Sequence, residues 1–364
     1  MVHCFNFYRI MVIGNIMKYR KLRGTDLKVS VIGIGGGAFK DESKPLGLIK
    51  KIIRFGYENG INVVETAEDY GEEKITPAIK DIRDEIVLIS KSFSPSKKEM
   101  EKSIRNSLKK LKTDYIDIYM IHTVNSIDGL KFLMNQGSLD ALKDAKKKGL
   151  IGYIGVSGHR IQPLIEAIKT NEFDVVEVPY TVGAYETEKL FKVAKEYGVG
   201  VITIRAFGGG ILVTRDKNSK YATFMNPRNI LGYVISNPSV STALVGVSSI
   251  EHLEENLKAL KKINFSPKER KEIENKVKKI LGENFCRGCL ACMPCEKFGW
   301  RFPIDALLRL EVYHKKFGMP INRDEVLNYK DMIEKCDACG ECEKNCPYNV
   351  PIVSNIKRLY EDIS

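Results

Sequence analysis

Ser107-Leu-Lys-Lys-Leu-Lys-Thr-Asp114-Tyr-Ile-Asp117-Ile-Tyr-Met-Ile-His122 contains the two periodicities that decide the fold. Its first residues close an amphipathic stretch, Ser96–Leu111, with Ile104, Leu108 and Leu111 on one helical face among Lys and Glu. Its second half, Ile116–His122, is nearly continuous apolar text, as in a parallel strand covered on both faces. The same pairing of run and helix extends outward. Val29–Ile34, Ile61–Glu65 and Ile86–Lys91 precede it, and Ile151–Ser157, Val175–Tyr180, Gly200–Ile204 and Thr242–Val245 follow, eight runs in all. Leu190–Tyr197 and Ile250–Leu260 read as later helices. Eight β–α units predict an α/β chain closed into a (β/α)8 TIM barrel. A doubly wound sheet is the alternative, because periodicity is blind to closure. The turn Gly33-Ile-Gly35-Gly-Gly37-Ala38 matches a dinucleotide fingerprint, but the acid ending the next strand, Glu65, stands about 28 residues beyond Gly37 rather than about 20. A βα turn needing positive φ or close backbone approach accounts for the same glycines.

A barrel places its chemistry at the C-terminal ends of its strands. Read in order, those ends carry Glu65, Tyr70 in the following loop, Lys91 and His122. A Lys or His in an apolar strand end is costly unless paired, and these four can supply one another's partners. A phenol beside an ammonium group should have a lowered pKa, a carboxylate would hold the ammonium, and a His would polarise a carbonyl. Such a set protonates a carbonyl oxygen while hydride reaches carbon.

These residues resemble the aldo-keto reductases. The resemblance is carried by Val-Val-Glu65-Thr-Ala-Glu-Asp-Tyr70-Gly71, Ser90-Lys91, the Ser107–His122 stretch, Gly149-Leu-Ile-Gly-Tyr-Ile-Gly155-Val-Ser157, Phe207-Gly-Gly-Gly210 and Gly246-Val-Ser-Ser-Ile-Glu-His-Leu-Glu-Glu255-Asn256, and covers about residues 17–262. It implies NAD(P)H-dependent reduction of a small carbonyl substrate, with Tyr70 as acid, Lys91 and Glu65 as its tuning pair and His122 orienting substrate. Cofactor contacts implied are Ser157, Glu177, Gly246, Glu255 and Asn256. The chain departs from the family where Glu65 replaces the usual Asp, Gly158 an Asn, Glu177 an amide and Ile204 an aromatic. Gly246 and His252 stand where basic residues often hold a 2′-phosphate, which leaves NADP and NAD both open.

Eight of the nine Cys lie between 286 and 346. Cys336-x2-Cys339-x2-Cys342-x3-Cys346-Pro347 has the spacing of bacterial ferredoxins and predicts a [4Fe–4S] cluster. Cys286-x2-Cys289-x2-Cys292-x2-Cys295 is similar but closes one residue sooner and is followed by Glu296. Two-cluster ferredoxins exchange the fourth ligand, which would pair Cys286, Cys289 and Cys292 with Cys346, and Cys336, Cys339 and Cys342 with Cys295. A single cluster, with the first group on zinc or free, is the alternative. Helix-like text over Asp305–Lys316 makes the tail resemble a mainly helical ferredoxin-like domain, as in the iron–sulfur extension of a subgroup of aldo-keto reductases. Trp300, Phe302, Ile304, Leu307, Leu308 and Leu310 are its expected small core.

The expected organisation is an extension over 1–16, a barrel over 17–275 and the iron–sulfur domain over 276–364. The formal charge of +12 is spread along helix faces and would fall to roughly +8 or lower with two clusters. No nucleic-acid motif accompanies it, so neither nucleic acid nor membrane is an expected partner. No apolar run is long enough to span a bilayer. Metal-type cysteine spacing points to a reducing, cytoplasmic setting. Three readings follow: a carbonyl reductase with structural or redox-sensing clusters, a barrel supplied with electrons through its clusters by a ferredoxin-like partner, or an electron carrier whose barrel is only a scaffold.

Overall fold

β10 (Thr242–Val245) pairs in parallel with both β9 (Gly200–Ile204) and β3 (Ile32–Gly35), and this closes the ring. Between them run β4 (Val63–Glu65), β5 (Val87–Ser92), β6 (Ile116–Ile121), β7 (Ile151–Ser157) and β8 (Val175–Pro179), each beside its sequence neighbour. The eight runs read from sequence are thus the eight staves of a closed barrel, and the open-sheet alternative is excluded. The computed structural model describes residues 17–214, 220–222 and 224–363, so the extension expected over 1–16 lies outside it.

The first run is not one strand. Lys28–Ser30 (β2) pairs antiparallel with Tyr19–Lys21 (β1), and only Ile32–Gly35 joins the barrel. The break is held by Asn62, whose Oδ1 accepts from the Ser30 amide at 2.7 Å. The hairpin carries Leu22 and Val29, both fully buried, into the barrel's inner core with Val63, Val87, Ile89, Ile118, Met120, Val175, Ile202 and Leu244. It therefore plugs one end of the barrel and leaves the strand C-termini as the open end.

Helices cover the outside. Lys97–Leu111 starts at a capping box in which Ser96 Oγ accepts from the Glu99 amide and Glu99 reaches back. It buries Met100, Ile104 and Leu111 against the strands. The helix Pro267–Leu281 follows the last barrel units and leads into the cysteine-rich tail. The tail holds Ile304–Phe317, Ile352–Glu361 and three shorter helices, and buries Phe302, Ile304, Leu307 and Leu308. Trp300, expected in that core, is 52% exposed. No helix among the described residues is long and apolar enough to cross a membrane.

Candidate active site and cysteine cavities

The strand ends converge as expected. Glu65 closes β4 and Lys91 lies one residue before the end of β5, so parallel register brings both to the barrel mouth. Lys91 Nζ ion-pairs with Glu65 Oε1 and, at 2.6 Å, with Glu177 Oε1 from β8. All three are at most 3% exposed. Glu65 Oε2 also accepts from the Gly36 amide at 2.8 Å. The glycine-rich turn is thus a close approach: a Cβ on Gly36 would stand 2.4 Å from the Glu65 carbonyl oxygen.

Tyr70 lies over this group, with Lys91 Nζ 5.4 Å from its ring centroid. Its hydroxyl is 3.5 Å from His122 Nε2, and His122 Nδ1 is 3.5 Å from Asp69 Oδ1. Sequence reasoning named neither Asp69 nor the Lys91–Glu177 pair; Glu177 was expected to contact cofactor. A carboxylate in the middle of the otherwise apolar Val-Val-Glu-Val run was the available signal.

Burial corrects one expectation. Lys91 does pull the Tyr70 pKa down, but burial, aided by Glu65 and Glu177, outweighs the ammonium and raises it above the ordinary phenol value. Burial likewise lifts Glu65 to about 7, against the pull of Lys91 and with the repulsion of Glu177 adding to it. Lys91 is held charged, its pKa raised by both carboxylates despite burial. His122 is pushed down to about 3 by burial and by Lys91, so it is neutral at physiological pH.

Of the expected cofactor contacts, Ser157 ends β7 with its Oγ accepting from the Thr123 amide at 3.2 Å. Gly246 is exposed just beyond β10, and Glu255 and Asn256 lie on the helix Ile250–Leu257. Asn256 is fully buried with neither side-chain amide atom partnered. Such an orphaned amide suits the edge of an adenine ring. The other end fits a nicotinamide less well. Beside Ile204, Arg205 is held at φ 60°, its Nε donating to Gly288 O at 2.6 Å and its Nη2 pairing with Asp305 at 2.6 Å.

Gly288 belongs to the first cysteine loop, which is therefore seated on the barrel mouth. Arg160 Nε donates to Ala291 O at 3.0 Å, Arg309 Nη1 to Gly209 O at 3.1 Å and Tyr313 Oη to Gly210 O at 3.0 Å. A Cβ on Gly288 would lie 2.2 Å from Gly208 O. One cavity is lined by Cys286, Cys289, Cys292 and Cys346, and a second by Cys295, Cys336, Cys339 and Cys342. Burial raises the Cys286 thiol to about 12 and lifts Cys289 and Cys292 as well. Thiolates in that cavity need bound positive charge. Among the described residues, no three His, Cys, Asp or Glu side chains are grouped to hold one metal ion. Four thiols instead line each cavity, a donor set that suits a larger cluster.

The description "Aldo/keto reductase family" matches residues 31–232, and "4Fe-4S dicluster domain" matches residues 285–351. The chain belongs to the aldo/keto reductase family and carries a 4Fe-4S dicluster domain behind its barrel. It is an oxidoreductase of that type. An uncharacterized oxidoreductase, YqkF of Bacillus subtilis, is 25% identical over 73% of this chain and 98% of its own. L-galactose dehydrogenase of Arabidopsis thaliana is 25% identical over 67% of this chain and 88% of its own. The same fold is seen in aldo-keto reductase AKR11C1 from Bacillus halodurans, at TM-score 0.62 and 24% identity over 71% of this chain and 96% of that one. An aldo-keto reductase from Klebsiella pneumoniae in complex with NADPH aligns at TM-score 0.61 and 24% identity, covering 72% and 95%.

Proposed function

We propose that the chain is an NAD(P)H-linked reductase of a small carbonyl compound, with Tyr70 as its proton donor and two [4Fe–4S] clusters beside the same site. One observation carries this: Tyr70, His122, Lys91, Glu65 and Glu177 come from separate elements to one barrel mouth. When bound, the nicotinamide supplies hydride to the carbonyl carbon. Tyr70 gives its proton to the carbonyl oxygen. Lys91, fixed between two carboxylates, is the positive charge nearest that phenol and offsets the phenolate left behind. His122 is neutral and its Nε2 stands 3.5 Å from the Tyr70 hydroxyl, where an Nε2–H would donate to the same carbonyl oxygen that Tyr70 protonates and so orient the substrate. Asn256 and Glu255 would meet the adenine, and Ser157 the carboxamide.

Cys286, Cys289, Cys292 and Cys346 would hold the cluster against the barrel, and Cys295, Cys336, Cys339 and Cys342 the outer one. Cys339 is exposed, so the outer cluster is the entry for a ferredoxin-like one-electron partner. Metal-type cysteines of this kind suit the reducing cytoplasm. The test is anaerobic purification, iron and sulfide analysis, and aldehyde reduction with NADH and NADPH. Tyr70→Phe should lower kcat/KM by about 10²–10⁴-fold while iron content and cluster absorbance stay as in the wild type. Undiminished turnover in that variant removes Tyr70 as the acid. Cluster bleaching by dinucleotide alone shows barrel and clusters exchanging electrons.

A further inference from the structure

Arg287 is the bulkiest side chain that the described residues bury, 2% exposed. It stands between Cys286 and Cys289 and lines the cavity they share with Cys292 and Cys346. Its Nη1 donates to Phe285 O and its Nη2 to Glu283 O at 3.2 Å. Its guanidinium carbon is 3.7 Å from the Phe285 ring centroid and 4.5 Å from that of Tyr348. Its Nε has no partner. Among the described residues no carboxylate pairs with it. Asp305, the carboxylate lining the cavity, is already taken by Arg205 at 2.6 Å.

Carbonyls and ring faces bear partial charges, whereas a guanidinium removed from water wants a full anion. A [4Fe–4S] core with four thiolates carries about −2 when oxidised and about −3 when reduced. We propose that Arg287 is the built-in counter-charge of the cluster held by Cys286, Cys289, Cys292 and Cys346, a positioning residue that stabilises its reduced form. This rests on the reading of those four cysteines as its ligands. The step concerned is one-electron reduction by an external donor, with no bond made or broken. The outer cavity has no such device. Its lining cations, Lys297 and Lys357, are exposed, and Lys297 is engaged with Lys335 O at 2.8 Å and Asp337 at 3.3 Å.

The experiment is a dithionite titration of the anaerobic holoprotein, read by electron paramagnetic resonance beside iron analysis. Arg287→Met should shift one cluster signal negative, lowering its reduced-to-oxidised ratio at fixed potential about tenfold, or about 59 mV for one electron. The other signal should stay in place. Arg287→Lys, which keeps the charge, should return the shifted signal most of the way to wild type. Lys297→Met should leave the same signal unmoved. Full iron in Arg287→Met with both signals unmoved overturns the proposal. So does an Arg287→Lys signal shifted as far as that of Arg287→Met, or loss of the cluster from both variants, which makes the residue a strut of the loop. A wild type holding only about four irons per chain defeats the ligand reading itself, and the proposal with it.

Discussion

Two buried cations divide this molecule. Lys91 in the barrel is met by two carboxylates from the same polypeptide. Arg287 in the tail, buried as deeply, has carbonyls and aromatic rings but no carboxylate. The barrel therefore partners its buried ammonium on folding, with one carboxylate to spare, and its site is preorganised before any ligand arrives. The tail leaves its balance open beside four thiols. The lesson is that the reductase half can be complete without metal, whereas the iron–sulfur half needs its cluster to close both a charge and a cavity.

Iron removal is the largest way to separate the two. Metal binding in small cysteine-rich domains is itself folding energy. Chelation under anaerobic conditions should therefore strip amide-exchange protection from Cys286–Tyr348 while β4 to β8 keep theirs. Equal loss in both regions, or in neither, would show that the halves are not balanced differently.

Breaking the barrel's own balance comes next. Lys91→Met leaves Glu65 and Glu177 facing each other in a dry site, and removing one member of a buried ion pair costs about 3–5 kcal/mol. Denaturant unfolding of the iron-loaded protein measures this. Adding Glu177→Gln to Lys91→Met should recover part of the loss, because it removes one of the two uncompensated charges. A double variant no better than the single would mean that Glu177 is not the partner that matters.

Much of the barrel was legible because its signals are local. Each buried parallel strand announces itself as an apolar run, and the order of runs fixes the order of staves. The cysteine spacing announced metal for the same reason, and the structure gathers those thiols into two groups of four. What was not legible depends on distance along the chain. Glu177 stands 86 residues from Lys91 and Asp305 stands 100 from Arg205, so neither pairing leaves a trace in local periodicity. The Tyr19–Ser30 hairpin was missed because its strands are three residues each. The direction of the Tyr70 shift was misread because burial outweighs Lys91, helped by the two carboxylates around that ammonium, one of which lies three staves beyond Lys91.

The smallest effect follows from the titration of two barrel groups, Glu65 and His122. Glu65 keeps its proton up to about 7 in the folded protein, against 4.5 for an ordinary glutamate. Folding therefore takes up a proton between those values. The stability this contributes is full below about 4.5 and is lost as pH rises through about 7. His122 works in the opposite sense. Its pKa falls from 6.5 to about 3, so its contribution is present above 6.5 and is lost as pH falls toward 3. Between pH 7 and pH 5 the two oppose each other, and the wild type should change stability only gently there. Glu65→Gln deletes one arm, so its stability should fall more steeply than that of the wild type on acidification over this window. Barrel circular dichroism in denaturant at several pH values reads the slope, and parallel slopes would remove Glu65 as the group titrating near neutrality. Arg287 stays protonated throughout this range, so its unmatched charge in the tail is the same at every pH of that experiment.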